Sequence, residues 1–214
     1  MFIFPALSVL TALSALSACA ETAVHPACST AGVHGPANKT VVADFVAGEC
    51  AAFVSHKHRA VYLTPAGFPK VMRLVTDAFC EGYQCHPDEL TRHRAVRGDT
   101  LAEYFVFTFV KNPWMRAWNA GMLDQNRASC ALDRVDYVGR VEHAAADWDG
   151  MLDSKDGLAP TRRPDAPPDN AGCQDFPYGL EFAVNEWYDD DIRAYRFPRP
   201  ADLGKIFYGG TMRK

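Results

Sequence analysis

An α/β fold with a mainly parallel central sheet is what this sequence predicts, and three observations predict it. Short apolar runs recur at 60–64, 104–110 and 136–140, and each is followed by apolar residues at helical spacing. Within the runs the apolar residues are nearly consecutive rather than alternating, as expected of strands covered on both faces. With 48% hydrophobic residues in 214, and 22 Lys+Arg against 26 Asp+Glu, the chain has the apolar material for one sizeable core. Collagen-like, coiled-coil and wholly disordered chains are excluded. The formal charge of -4 argues against a general nucleic-acid binder, so any anionic ligand must be held by a local patch.

Met1 to Ala20 carries no charged side chain and ends in small residues, the shape of a secretory signal. Ala18-Cys19-Ala20 offers a cleavage site. An uncleaved anchor also fits, since twenty residues reach the span of a bilayer, and Leu16-Ser17-Ala18-Cys19 resembles a lipobox. Residues 21–55 read as an N-terminal leader ahead of a folded domain over 56–214. Its first half is rich in Ala, Gly, Pro, Ser, Thr and His without a hydrophobic period. Val42-Ala43-Asp44-Phe45-Val46 is expected to open a short helix toward Phe53. After the basic quartet His56-Lys57-His58-Arg59 comes the first strand, Ala60–Thr64, ending in Pro65-Ala66-Gly67. Val71, Met72, Leu74, Val75, Ala78 and Phe79 then mark a helix.

The strongest strand is Tyr104–Val110, β-branched and aromatic, stopped by Asn112-Pro113, where a second helix starts. Trp114, Ala117, Trp118 and Gly121 fall on one side of that helix and leave Arg116 to the loop. Asp136–Arg140 is the third strand and leads into a helix over Glu142–Leu152. Pro160–Asn170 reads as an exposed loop, and Tyr178–Tyr195 as helical.

Removal of the signal leaves six cysteines, Cys28, Cys50, Cys80, Cys85, Cys130 and Cys173. An even count in an exported chain suggests disulfides, of which Cys80 with Cys85 is the plausible local loop. Cys80, Cys85, His86 and His93 miss the usual zinc spacings, so no metal is expected. Asn38-Lys39-Thr40 is a glycosylation sequon if the host has the machinery. Asp189-Asp190-Asp191 points in successive directions on a helix and reads as a solvated face.

A parallel sheet places its ligand site beyond the carboxyl ends of its strands. Both of the first two strand-to-helix junctions are basic: Lys70 and Arg73 follow Pro65-Ala66-Gly67, and Lys111 and Arg116 flank Asn112-Pro113. Cations beside helix N-termini suit a ligand carrying several negative charges, such as a nucleotide with several phosphates. The same residues also read as ordinary solvated helix charges.

Phe107-Thr108-Phe109-Val110-Lys111-Asn112-Pro113-Trp114-Met115-Arg116 resembles the F-x-F-V-R-N-P-[YFW]-x-R segment of the carbohydrate sulfotransferases. Asp136-Tyr137-Val138-Gly139-Arg140-Val141-Glu142 resembles their D-[FY]-[IV]-G-[RK]-x-E segment, in the same order and at a similar separation. Val184–Asp191, followed by Tyr195, is similar to the family's closing helix. The resemblance covers roughly residues 58–197. It implies a P-loop-like three-layer fold and transfer of a sulfuryl group from 3′-phosphoadenosine 5′-phosphosulfate to a hydroxyl of a glycan, with no metal. It also implies residence in the secretory pathway, in the Golgi lumen or secreted, with membrane association under the anchor reading.

Carried over from that family, Pro65, Ala66, Gly67, Lys70 and Arg73 form the loop for the 5′-phosphosulfate, and Lys111, Arg116 and Asn119 hold the 3′-phosphate. Lys111 stands where the family has Arg, Asn119 where Ser is usual, and Ala66 where the loop lysine belongs, leaving Lys70 as the nearest cation there. Related enzymes place a catalytic His between the first helix and the second motif strand, which points to His93 as general base, with His86 as runner-up and Lys70 at the sulfate end. Arg92, Arg94, Arg97, Arg162 and Arg163 read equally as a basic rim for an acidic glycan or as a solvated surface. A non-catalytic relative that binds a nucleotide or anionic glycan is the alternative. A P-loop kinase is disfavoured because G-x-x-x-x-G-K-[ST] does not occur.

Overall fold

The strongest apolar run becomes the middle of a sheet. A computed structural model describes residues 32–46, 50–65, 69–80, 85–87, 89–120, 132–155, 158 and 180–199, with backbone alone at 65, 69–72, 74, 118–120 and 180–182. Strand β7 (Phe105–Val110) lies between β4 (Ala60–Pro65) and β8 (Tyr137–Arg140) and runs parallel to both. Around these three, β1 (Gly35–Pro36) pairs antiparallel with β8, β3 (Cys50–Ser55) with β4, and β5 (Thr91–His93) with β3. The order β1-β8-β7-β4-β3-β5 is therefore a mixed six-stranded sheet, parallel at its core and antiparallel at both margins. A second, two-stranded sheet pairs β2 (Phe45–Val46) with β6 (Ala95–Val96).

The antiparallel strands β1 and β3 come from the segment that reads as a leader. The helix expected from Val42 toward Phe53 is absent: this stretch forms β2 and β3 instead. Its alanines favour a helix locally. However, β3 pairs with β4 along its full length, from Cys50 opposite Pro65 to Ser55 opposite Ala60, and that long-range ladder overrides a weak local preference. The turn between them places Arg59 at φ 49, a left-handed conformation. Further upstream, β1 closes the other margin, and Lys39 donates to the carbonyls of Leu101 (2.8 Å) and Tyr104 (3.0 Å) and to Asp136 Oδ2 (2.7 Å).

The two sheet faces have different cores. Val61, Leu63, Val106, Val110 and Val138 turn one way and pack against α3 (Pro113–Ala120), α5 (Leu180–Trp187) and α6 (Asp189–Ala194). Tyr62, Phe105, Phe107, Phe109 and Tyr137 turn the other way, against α1 (Pro69–Phe79) and α4 (Ala144–Asp153). On this aromatic face Phe107 stacks on Tyr62 at 5.3 Å and on Phe79 at 5.9 Å, and Phe109 stacks on Trp148 at 6.0 Å. Period-2 alternation accounts for the segregation. Gly139 is required here: a Cβ on it would lie 2.3 Å from the Phe109 ring.

The remaining elements follow the sequence closely. The expected tail helix is broken at Tyr188 into α5 and α6, and the helix after β8 begins with a 3-10 turn at Val141–His143. A further helix, α2 (Gly98–Glu103), precedes β7. Cys80 and Cys85 are disulfide-bonded to each other, as is Cys50 to another partner. The signal or anchor segment, the proline-rich loop and Cys28, Cys130 and Cys173 lie outside the described residues. Among those described, no helix is long and apolar enough to cross a membrane.

Candidate functional site at the carboxyl edge of the parallel strands

Three parallel strands end side by side. Tyr62 of β4 pairs with Phe107 of β7, and Val110 of β7 with Arg140 of β8, so the segments that follow β4, β7 and β8 leave one edge of the sheet. The two basic junctions read from the sequence are thus adjacent in space. At the first, Ala66 and Gly67 lie outside the described residues, and of Pro65 and Lys70 the backbone alone is described, Lys70 being the second residue of α1. Arg73 lies one turn into α1, exposed, with Asp77 Oδ2 3.9 Å from its Nε.

The second junction is fully built. Lys111 is 8% exposed between the end of β7 and the start of α3. Asn112 caps α3: its Oδ1 accepts from Trp114 N (2.9 Å) and its carbonyl from Arg116 N (2.9 Å), while Pro113 has no N–H to offer. This helix end therefore satisfies most of its own donors, and the cationic character of the junction rests on Lys111. The Asn112 N–H in turn donates to Glu142 Oε1 at 2.5 Å, tying the loop after β7 to the turn after β8.

Arg140 forms the centre of that tie. Its guanidinium is fully buried, 3.2 Å from Glu142 Oε2 through Nε, and stacks over Phe197 at 4.3 Å. Burial pulls its pKa down, opposed by the Glu142 carboxylate and then by Asp147. The Arg140 backbone N–H donates to Asp147 Oδ2 at 2.6 Å. Asp147 Oδ1 lies 3.3 Å from His34 Nδ1, and the His34 ring stacks on His143 at 6.2 Å with 9° between planes. Buried carboxylates thus hold the loops after both β7 and β8 and orient an imidazole at the β1 margin.

The other expected site residues are distributed elsewhere. Arg116 turns toward the closing helices, with Nη2 3.2 Å from Asp191 Oδ2 and its guanidinium 4.2 Å above the Tyr188 ring. Asp191 is buried, which corrects the reading of 189–191 as a wholly solvated face. The α3 backbone extends through Asn119, whose side chain lies outside the described residues. His93 ends the marginal strand β5, and its ring meets His56 at 6.3 Å; His56 Nδ1 is 2.9 Å from the Tyr104 hydroxyl. The His93 backbone pairs with Ala52 of β3, itself opposite Leu63 of β4, so His93 stands on the outermost strand, three strands across the sheet from β7 and Lys111, with its ring turned to His56. His86 is exposed, and its backbone N–H donates to Glu89 Oε2 at 2.9 Å.

Cys80, Cys85 and Glu89 bring three potential metal-binding atoms together, but the two sulfurs are joined to each other and offer no thiolate. An open cleft of about 570 Å³ runs along β1, lined by Val33, Ala37, Asn38, Leu132, Asp133, Ala194 and Arg196, and contains none of the predicted site residues.

Sequence reasoning missed His34 and Asp147. They lie more than a hundred residues apart, and only the β1–β8 pairing brings them together. Asp147 carries one weak signal, an acidic residue in the first turn of its helix. No family model, curated protein or solved structure matches this chain.

Proposed function

We propose that this chain is a carbohydrate sulfotransferase, with a P-loop-like three-layer fold, that moves a sulfuryl group from 3′-phosphoadenosine 5′-phosphosulfate to a glycan hydroxyl. The observation that carries the reading is the adjacency at the carboxyl edge. The two segments that resemble the family, 107–116 and 136–142, pair in register and end together, with Lys111 at the junction. Helices on both faces of the sheet agree with a three-layer arrangement. The Cys80–Cys85 disulfide agrees with passage through an oxidising compartment, as the secretory pathway provides.

In this reading Lys111 contacts the donor phosphate, while the loop after β4, with Lys70 at the start of α1, receives the phosphosulfate. Lysine offers a point charge where a guanidinium would give a planar fork, so the contact is electrostatic rather than bidentate. Transfer is in line: positioning and charge stabilisation supply most of the rate, as in phosphoryl transfer. Glu142 and Asn112 contribute by fixing the loop backbone before the donor arrives.

One observation favours the second reading, a relative that binds the nucleotide or an anionic glycan without transfer. Arg116, expected at the 3′-phosphate, is paired with buried Asp191 beneath Tyr188, which leaves Lys111 as the built cation of that junction. Two measurements separate the readings. Adenosine 3′,5′-bisphosphate should raise the melting temperature for the enzyme and for a nucleotide-binding relative, and a desulfated or sulfated glycan alone for a glycan-binding one. Label from [35S]-donor should appear on mixed desulfated glycans only if the chain is an enzyme. Absence of any thermal shift with millimolar bisphosphate or with glycan, together with no labelled product, overturns both.

A further inference from the structure

The proposed transfer makes no use of the triplet Asn38-Lys39-Thr40, whose asparagine lines the open cleft beside β1. We propose that Asn38 carries an N-linked oligosaccharide and that its first sugars seat in that cleft; this rests on the secretory-pathway part of the reading above.

The backbone of the triplet is pinned while its outer side chains are free to react. Ala37 N donates to the Asp136 carbonyl at 2.8 Å, and Thr40 N and Val41 N donate to the Asp133 carbonyl at 2.8 and 3.0 Å. Between those anchors Lys39 turns inward, its side chain 11% exposed and bonded to Leu101, Tyr104 and Asp136. Asn38 and Thr40, on either side of it, are both exposed. The amide to be modified and the hydroxyl that completes the recognition triplet are therefore accessible together, and the fold accommodates a glycan without giving up the Lys39 contacts. No other N-x-[ST] triplet occurs in the 214 residues.

The cleft supplies the seat. Its volume of about 570 Å³ lies within the range of small-ligand sites. Because Asn38 is itself one of the lining residues, a sugar on its amide starts at the cleft, and the covalent tether replaces the affinity that a free saccharide would need. Val33 and Leu132 offer apolar surface for the C–H faces of the pyranose rings and for an acetamide methyl. Asp133 and Arg196 offer an acceptor and donors for hydroxyl groups. β1 is the outermost strand at this margin, so a seated glycan also covers a sheet edge.

The modification needs one co-reactant, an oligosaccharide joined to a lipid diphosphate and delivered by the host's membrane-bound transferase. The Asn38 Nδ2 forms a bond to C1 of the first sugar as the bond from C1 to the diphosphate oxygen breaks. The lipid diphosphate leaves with the bonding electrons, and one amide proton passes to solvent.

The test is translation of the full chain with microsomes of the eukaryotic endoplasmic reticulum, in which protection from added protease reads translocation and band mobility reads the glycan. Wild type should be protected and should run one discrete step higher, a step removed by peptide N-glycosidase and absent from Asn38→Gln and Thr40→Ala. Neither variant has to fold for this to be read. A protected wild type without the step overturns the glycan and leaves the secretory reading standing; an unprotected chain overturns both. For the seat, an endoglycosidase that cuts between the first two sugars should act at least about tenfold more slowly on the native chain than on the denatured one, as a core seated about nine-tenths of the time requires. Arg196→Gly removes the side chain while keeping the left-handed backbone at φ 53, and should bring the native rate back toward the denatured one. Equal rates on native and denatured wild type, or a slow native rate untouched by Arg196→Gly, overturn the seat in the cleft.

Discussion

The two ends of the parallel strands are held by different kinds of ion pair, half-buried at one end and buried at the other. At the amino edge, Lys39 uses all three of its N–H donors on protein, two on the carbonyls of Leu101 and Tyr104 and one on Asp136, whose Oδ2 also accepts from Val106 N. This cation is structural, because nothing remains to offer a ligand. At the carboxyl edge the roles reverse. The carboxylates of Glu142 and Asp147 accept from backbone N–H groups of Asn112 and Arg140, so the acids shape the loops beside Lys111, and Asp147 also meets His34 at the β1 margin. The difference teaches that an edge with its carboxylates committed to backbone is a preorganised frame for a basic site.

The largest effect should come from breaking that frame. Glu142→Ala leaves Arg140 buried without its carboxylate, and loss of one partner from a buried pair costs about 3–5 kcal/mol. Glu103, in the exposed pair with Arg59, provides the control: Glu103→Ala should change stability by less than about 1 kcal/mol. Urea melts of both variants test the contrast, and equal costs would show that the carboxyl edge is no more tightly framed than the surface. Next in size, Lys111→Met should weaken bisphosphate binding about 10- to 100-fold, the worth of one charge-assisted phosphate contact. Lys39→Met should lower stability by about 1–3 kcal/mol yet leave bisphosphate affinity unchanged, because its edge takes no part in binding. Titration calorimetry with the bisphosphate reads both.

Much of this arrangement is legible in the sequence, and the boundary of what is legible is physical. β4, β7 and β8 announce themselves because a strand covered on both faces must be apolar at nearly every position, and Asn112-Pro113 marks a helix start by capping chemistry alone. The antiparallel margins do not show, since β3 is an alanine-containing segment whose conformation is decided by its neighbour β4, and β1 is two residues long. Of the site, Lys111 is readable from its place after a strand. The partner of Arg116 lies 75 residues away, and that pairing turns an apparent ligand cation inward. His93 satisfies the expected interval in sequence but not in space, because an edge strand carries it to the lateral margin of the sheet, where its ring turns to His56.

Between the two edges lies the aromatic face, and it sets an alkaline limit. Burial raises the Tyr137 pKa to about 12, with Asp147 and then Asp153 adding to the rise. Burial also raises that of Tyr62, opposed by a hydrogen bond from Thr64, and that of Tyr195, where Asp191 adds and Arg116 opposes. Each phenol stays protonated in the folded chain while its unfolded counterpart ionises from about pH 10. This contribution to stability is complete below pH 10 and is lost as pH rises from there through about 12. Denaturant midpoints at pH 9, 10.5 and 11.5 should fall in that window, and Tyr137→Phe should flatten the fall. A midpoint independent of pH across it would mean that these phenols ionise as freely folded as unfolded.

The smallest expected effect discriminates best between sequence and structure. By interval along the chain His93 is the base, and its truncation should abolish transfer. In space, His93 stands on the outermost strand β5, opposite Ala52 and so level with Leu63, three strand spacings or roughly 14 Å across the sheet from β7, and its ring turns to His56. No proton leaving a hydroxyl beside Lys111 reaches an imidazole at that distance in one step, since a general base must lie within hydrogen-bond reach or one water of the proton it takes. His93→Ala should therefore keep kcat and bisphosphate affinity within about threefold of wild type, a difference below about 0.7 kcal/mol. A hundredfold fall in kcat with binding intact would place the base at the β5 margin and restore the reading by interval.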